Sequence, residues 1–414
     1  MERHDDDLTT AFLVELGEAL VRTESAVGEV QDALHASAAG LQRPDLDVVV
    51  LPTVLLVQST RGDRAQIRMG TFRRTPLRFD QTARVDEIAR ETARGSVGAA
   101  AARLELHQAM SGPAPIPVPW RILGMGLLSA GFSLVLDPTW RTLAITFLLG
   151  LLVGALRLVR LPAIQAMAPI VASFVVAVIV FTLGNHMTLE NPLRVVIPPL
   201  ILFLPGGALT TATIELASGD TISGASRLIE GLMTLMMLAF GVLAAAAIVS
   251  EPSGELIDAP LRHLPGLAPV LAIIVLAAGF RLHLCAPWRT LPWVVGVMAI
   301  AKGTQLLSAL AFPATLSAFF GAFVMTPVIL AAVKYRGAPE RALFLAGFSM
   351  LVPGATGLIG IAQIAVNGVS SGILAAAYAV GAITLGVLLG AATWSASHDG
   401  IDRAQALIDR RRGA

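Results

Sequence analysis

One cysteine, Cys285, in 414 residues excludes an internal disulfide, and no Cys/His cluster has metal-ligand spacing. Lysine is nearly missing too: Lys302 and Lys334 stand against 28 arginines. Charged residues make up only 14 % of the chain, and they are unevenly spread. Residues 1–118 hold 13 arginines and 17 acids, while residues 119–395 hold nine acids over more than twice the length. The net charge of +1 comes with no basic stripe, so nucleic acid is not an expected partner. The start, Met1 to Asp7, is acidic and lacks an apolar core, so it does not read as a secretory signal. Neither a phosphate loop nor a nucleophile elbow is present, and no enzyme activity, cofactor or metal is expected. What the chain has in excess is apolar residues, 55 % of the total, with a mean hydropathy of +0.72. A polar first region and a long membrane region follow from that distribution.

Residues 1–111 read as a small α+β domain on the cytoplasmic side. Leu8, Phe12, Leu16, Leu20, Val27, Val30 and Leu34 recur at helical spacing. Leu46 to Val57 is a β-branched run broken by Pro52, which predicts two short strands or one bulged edge strand. A further strand over Gln66–Phe72 and helices around Phe79–Thr92 and Ser96–Met110 complete the domain. His35, Ser37 and Asp32 lie close in sequence, and the expectation for His35 is a packed or surface histidine. Residues 112–119 alternate proline and form a stiff linker.

About twenty apolar residues cross a bilayer. That measure gives about ten spans, near 120–136, 140–158, 163–184, 193–216, 227–249, 267–285, 288–309, 313–333, 341–366 and 370–394. Arginine and lysine favour the cytoplasmic side. With residues 1–111 inside, the inner connections hold Arg157, Arg160, Arg227, Arg281, Arg289, Lys334, Arg336 and Arg341, and the 399–414 tail is basic as well. Both termini are then cytoplasmic, in what reads as a bacterial inner-membrane protein. Five spans per half is odd, so the halves, 120–250 and 267–395, lie in opposite senses as inverted five-helix repeats. The expected fold is mainly α and polytopic, with two broken helices.

The breaks are the centre of the chain. Pro205-Gly206-Gly207 interrupts the fourth span, and Pro353-Gly354 interrupts the ninth about 148 residues later. Proline removes a helical N–H and glycine loosens the backbone. In hydrocarbon such backbone must be buried in protein or line a wet cavity, which makes paired breaks a pointer to a transporter's substrate site. A helix restarting after each break offers unpaired N–H groups to a carboxylate. Thr210 and Thr211 supply hydroxyls there, unless these bond back to their own helix. Gln363 and Asn367 are the second repeat's polar groups, and Lys302, deep in an apolar run, is a candidate for binding a substrate carboxylate. Glu215, Asp220 and Glu230, with Arg227 among them, are the candidates for proton coupling, since carboxylates in or near a span are costly and usually functional. The alternatives are a solvated Asp220 and a Glu230–Arg227 pair at i,i+3 spacing.

The run from Leu204-Pro205-Gly206 through Glu215, Gly219-Asp220, Gly224 and Arg227 resembles the signature of the threonine/serine exporter family. Leu16 to Leu20 and Val48 to Val57 resemble that family's cytoplasmic domain, and the likeness spans nearly the whole chain. It implies export of L-threonine and L-serine driven by protons. Glu215 departs from it, standing where the family's pattern has aspartate. The expected partners are therefore a small-molecule substrate, protons and the lipid bilayer, with a homo-oligomer left open. An exporter of another small anion such as a dicarboxylate, and a membrane-anchored hydrolase, are the competing readings.

Overall fold

The computed structural model describes residues 2–59, 66–71, 76–136, 138–159, 162–184, 192–249, 267–351 and 378–397. The second break, with Pro353, Gly354, Gln363 and Asn367, lies outside the described residues, as does the tail at 399–414.

The first domain begins with α1 (Glu2–Val21) and α2 (Val27–Gly40). The Pro52 run folds as two strands, β1 (Leu46–Val50) and β2 (Val54–Ser59), closed by a turn in which Leu51 N–H donates to Val54 O at 2.8 Å. β3 (Gln66–Thr71) adds to β2, giving an antiparallel sheet in the order β1-β2-β3 with Val48 opposite Val57 and Val57 opposite Arg68. Burial alternates along β1, so one face packs on α1 and α2 and the other stays open. The helices α3 (Phe79–Ala93) and α4 (Ala99–Ser111) close a core that includes Phe12, Leu16, Leu34 and Leu55.

The linker prolines end at α5, which starts at Val118 with Pro119 in its first turn, where a missing N–H costs nothing. The membrane region then runs α5 (Val118–Val135), α6 (Trp140–Arg157), α7 (Pro162–Gly184), α8 (Pro192–Val196), a 3-10 turn (Pro198–Phe203), α9 (Gly206–Ser218) and α10 (Thr221–Val249). It continues with α11 (Ala268–His283), α12 (Leu291–Ser308), α13 (Ala314–Arg336), α14 (Glu340–Leu351) and α15 (Tyr378–Ser397). Among the described residues eight segments are long and apolar enough to cross a membrane, against the ten expected. The two others are α11, only 16 residues long, and the segment opened by α14, which runs out of the described residues.

The helix that opens each half packs on the other. Gly124 stands against His283, Gly131 against Leu276, and Gly279 against Leu128. Numbers rise along α5 as they fall along α11, so the two helices are antiparallel. A Cβ on Gly131 would come within 2.9 Å of the Leu276 nitrogen, and one on Gly279 within 2.8 Å of the Leu128 nitrogen. Only glycine allows backbones this close. The sequence repeats here as well. Gly131-Phe132 returns as Gly279-Phe280, and Trp140-Arg141-Thr142-Leu143 returns as Trp288-Arg289-Thr290-Leu291, each 148 residues on.

Candidate functional site: the interrupted helix and the turn docked on it

Pro198 and Pro199 start a 3-10 turn that ends at Phe203, and Leu204-Pro205 then separates it from α9. Pro205 has no N–H to give, and Leu209 N–H is the first to close a turn, onto Pro205 O at 2.9 Å. The N–H groups of Gly206, Gly207 and Ala208 thus precede the helix's own acceptors. The other side of the gap is held by a residue that sequence reasoning treated only as an orientation signal. Arg157, at the end of α6, donates from Nη1 to Leu202 O at 3.3 Å, and its guanidinium lies 4.8 Å from the Phe203 ring centre. The basic residue at the end of an apolar helix, ahead of a span with a Pro-Gly break, was the available clue.

Within α9, Thr210 Oγ1 donates to Gly206 O at 3.0 Å and Thr213 Oγ1 to Leu209 O at 2.9 Å. Thr210 is fully buried, and its proton is spent on its own helix; Thr211 is half-buried. Opposite the start of α9 lies α14, and Phe348 is the nearest neighbour of the Gly207 α-carbon face, 3.9 Å from where a Cβ would stand.

The far end of α9 explains the acidic, glycine-rich loop. Gly219 takes φ +93°, while Gly219 N–H reaches Leu216 O at 3.4 Å and Asp220 N–H reaches Glu215 O at 2.9 Å. This is a glycine-terminated helix end of the Schellman kind. Gly224 then lets α10 fold back, for a Cβ there would come within 2.7 Å of Ala212 O. The hairpin brings Arg227 opposite Glu215. Arg227 Nε donates to Glu215 Oε1 at 3.1 Å, and both side chains are almost wholly buried.

That pair receives the first domain. Val27 N–H, at the start of α2, donates to the same Glu215 oxygen at 3.0 Å. Arg227 Nη2 donates to Ser25 O at 2.6 Å and Nη1 to Glu24 O at 3.4 Å. Glu24 sits at φ +65°, an uncommon left-handed conformation for this residue type, and its carboxylate meets Arg341 of α14 at 2.8 Å. Three more contacts seal the surface. Phe79 N–H donates to Leu284 O at 2.9 Å, Arg90 Nη2 to Gly337 O at 3.2 Å, and Phe79 stacks on Phe280. The connections after α9, α11 and α13, all assigned to one side by their arginines, are those the first domain touches.

The profile of the family described as "Putative threonine/serine exporter" (ThrE) matches residues 11–249, taking in both the first domain and this hairpin. This chain belongs to the threonine/serine exporter family. No curated protein and no solved structure matches it. In this family member Asp220 is half-buried and Glu230 exposed; Asp220 Oδ2 would lie 3.5 Å from a Cβ on Gly28, beside the start of α2. Arg227, read as an i,i+3 partner for Glu230, has Glu215 across the hairpin. Lys302 is half-buried on α12 and donates to Gln305 at 3.1 Å. In the first domain His35 Nε2 lies 3.3 Å from Asp47 Oδ1, and Ser37 Oγ donates to Ala89 O at 3.3 Å; each side chain has a local structural partner.

Proposed function

We propose that this member of the threonine/serine exporter family is a secondary transporter moving small hydroxy amino acids, L-threonine and L-serine, out of the cytoplasm by proton antiport. The family membership carries the transport class. The mechanism is carried by one observation: a span interrupted at Pro205-Gly206, whose restarted helix begins beside α14, the helix that leads toward Pro353-Gly354. The substrate carboxylate takes the N–H groups at Gly206 and Gly207, with Thr211 and the second repeat's Gln363 and Asn367 reaching the ammonium and hydroxyl groups. The antiparallel α5–α11 pair and the 148-residue repeat support inverted halves, which would bring the two breaks together from opposite sides. Of the candidates for proton coupling, Asp220 is half-buried and Glu230 exposed, whereas Glu215 and Arg227 tie the hairpin to the first domain.

Arg157 favours a second reading. The Arg157 guanidinium, bonded to the carbonyl of Leu202 three residues before Pro205, is a cation beside the break, which suits a second carboxylate and hence a dicarboxylate. Lys302 and Arg227 add less, because Gln305 and Glu215 occupy them. Uptake of labelled threonine, serine and a dicarboxylate into inside-out vesicles, with and without a pH gradient, separates these readings. The proposal expects gradient-dependent accumulation of threonine and serine. Accumulation of the dicarboxylate alone would replace the substrate, and indifference to the gradient would remove the coupling.

A further inference from the structure

A groove of about 400 Å³ runs between α12 and α13. Trp293 of α12 forms one wall and Pro327, Val328, Ala331 and Tyr335 of α13 the other, with Arg336 at one end. Both helices are long and apolar enough to cross a membrane, so the groove opens at bilayer depth. Its level follows from the end of α13. Gly337, directly after Arg336, accepts from Arg90 of the first domain at 3.2 Å, which puts the Arg336 end at the surface that carries that domain. Pro327 lies nine residues back along the helix, about 13 Å deeper. Half of a bilayer's hydrocarbon is about 15 Å, so the groove is as deep as one leaflet. We infer that it binds a phospholipid with an acidic headgroup from the leaflet beside the first domain. One acyl chain lies from Tyr335 down to Pro327, and the phosphate sits at Arg336 and Lys334.

The chemistry changes along the groove as such a ligand requires. The deep part is hydrocarbon, and the charged side chains come only at the surface end. Arg336 and Lys334 are both exposed, and among the described residues neither pairs with an acid; Lys334 Nζ stands 6.0 Å from the Tyr335 ring centre. Other cations on this side are engaged, Arg341 with Glu24 and Arg227 with Glu215. The last carbonyls of α13 do not need the two cations either. Gly337 N–H caps Val333 O at 3.0 Å and Ala338 N–H caps Ala332 O at 3.3 Å. A guanidinium takes two phosphate oxygens at once and an ammonium adds a point charge, so the pair suits a phosphate. Tyr335 meets Trp394 of α15 edge-on at 6.2 Å, an aromatic pair at the level where headgroups begin. A free phosphate would meet the same cations and leave the apolar walls bare, whereas a lipid covers both.

Native mass spectrometry of the full chain, stripped of lipid in detergent, tests the site. Dioleoyl phosphatidylglycerol, dioleoyl phosphatidylcholine and inorganic phosphate are added separately, and the phosphate is also added in competition with the first lipid. Retention of one phosphatidylglycerol is expected on the order of tenfold above phosphatidylcholine, with no displacement by millimolar phosphate. The Lys334→Gln, Arg336→Gln double variant is expected to retain the two lipids equally; its substituted side chains are exposed, so the fold is kept. Ala331→Trp fills the groove and is expected to lower retention of both lipids. Equal retention of the two lipids by the wild type overturns the site. Unchanged preference in the double variant, or unchanged retention in Ala331→Trp, places the lipid elsewhere and overturns it too. Displacement by phosphate would make the free anion the ligand. None of these readouts involves transport, so failure here leaves the transport proposal standing.

Discussion

The first half of the membrane region holds Gly131-Phe132 and Trp140-Arg141-Thr142-Leu143, and the second holds the same residues 148 positions on. At that spacing the charges of the hairpin are not repeated: Glu215 is answered by Gln363, Asp220 by Gly368 and Arg227 by Ala375. The residues that match include the two glycines of the antiparallel α5–α11 contact, where each half supplies the same shape to the other. Those that differ sit on the hairpin that receives the first domain. Glu215 Oε1 accepts from Val27 N–H, and Arg227 donates to Ser25 O and Glu24 O, groups supplied by the first domain. The charged pair therefore bonds to the docked first domain, and the transport proposal draws on the features both halves share.

The largest effect should come from breaking that asymmetry. Arg227→Ala leaves the Glu215 carboxylate buried without its cation, a loss of about 3–5 kcal/mol. Gln363→Ala, at the position of the second half that matches Glu215, is expected to cost far less. Thermal unfolding in detergent, followed by protease sensitivity of the first domain, would measure both, and equal losses would undo the contrast. The shared feature gives a middle-sized effect. Gly131→Val and Gly279→Val each press a side chain on the opposing backbone, costing about 1–3 kcal/mol. The symmetry expects the two losses to agree within about 0.5 kcal/mol, and a one-sided loss would break it. The smallest effects separate Thr210 from Thr211. Thr210→Ala removes the bond to Gly206 O and costs about 1 kcal/mol of stability. Thr211→Ala is expected to leave stability unchanged and weaken substrate binding, read from the concentration dependence of uptake.

Much of the architecture could be read from the chain because hydropathy and proline act locally. Pro52 separated β1 from β2, and Pro205-Gly206 ended one helix and opened α9. The helix-bonded state of Thr210 was one of two local options, which sequence alone left balanced. Partnerships across the fold were hidden. Nothing near Val27 in sequence announces Glu215, 188 residues away, and nothing near Leu202 announces Arg157. The i,i+3 spacing offered Glu230 as a neighbour for Arg227, whereas the turn at Gly219 also brings Glu215 opposite it, a partner that local spacing does not announce. The Trp-Arg-Thr-Leu repeat was open to inspection from the start, at the same spacing as the two breaks.

The inverted arrangement of the halves is the claim on which the shared pocket depends, and the repeated segment offers its most direct test. Arg141 and Arg289 are both exposed, in matching positions of the two halves. Arg141→Cys and Arg289→Cys, each with buried Cys285 replaced by serine, would be treated with a membrane-impermeant maleimide in intact cells and in opened membranes. The account predicts that Arg141→Cys is labelled in intact cells and Arg289→Cys only after the membrane is opened. Labelling of both from the same side would contradict it.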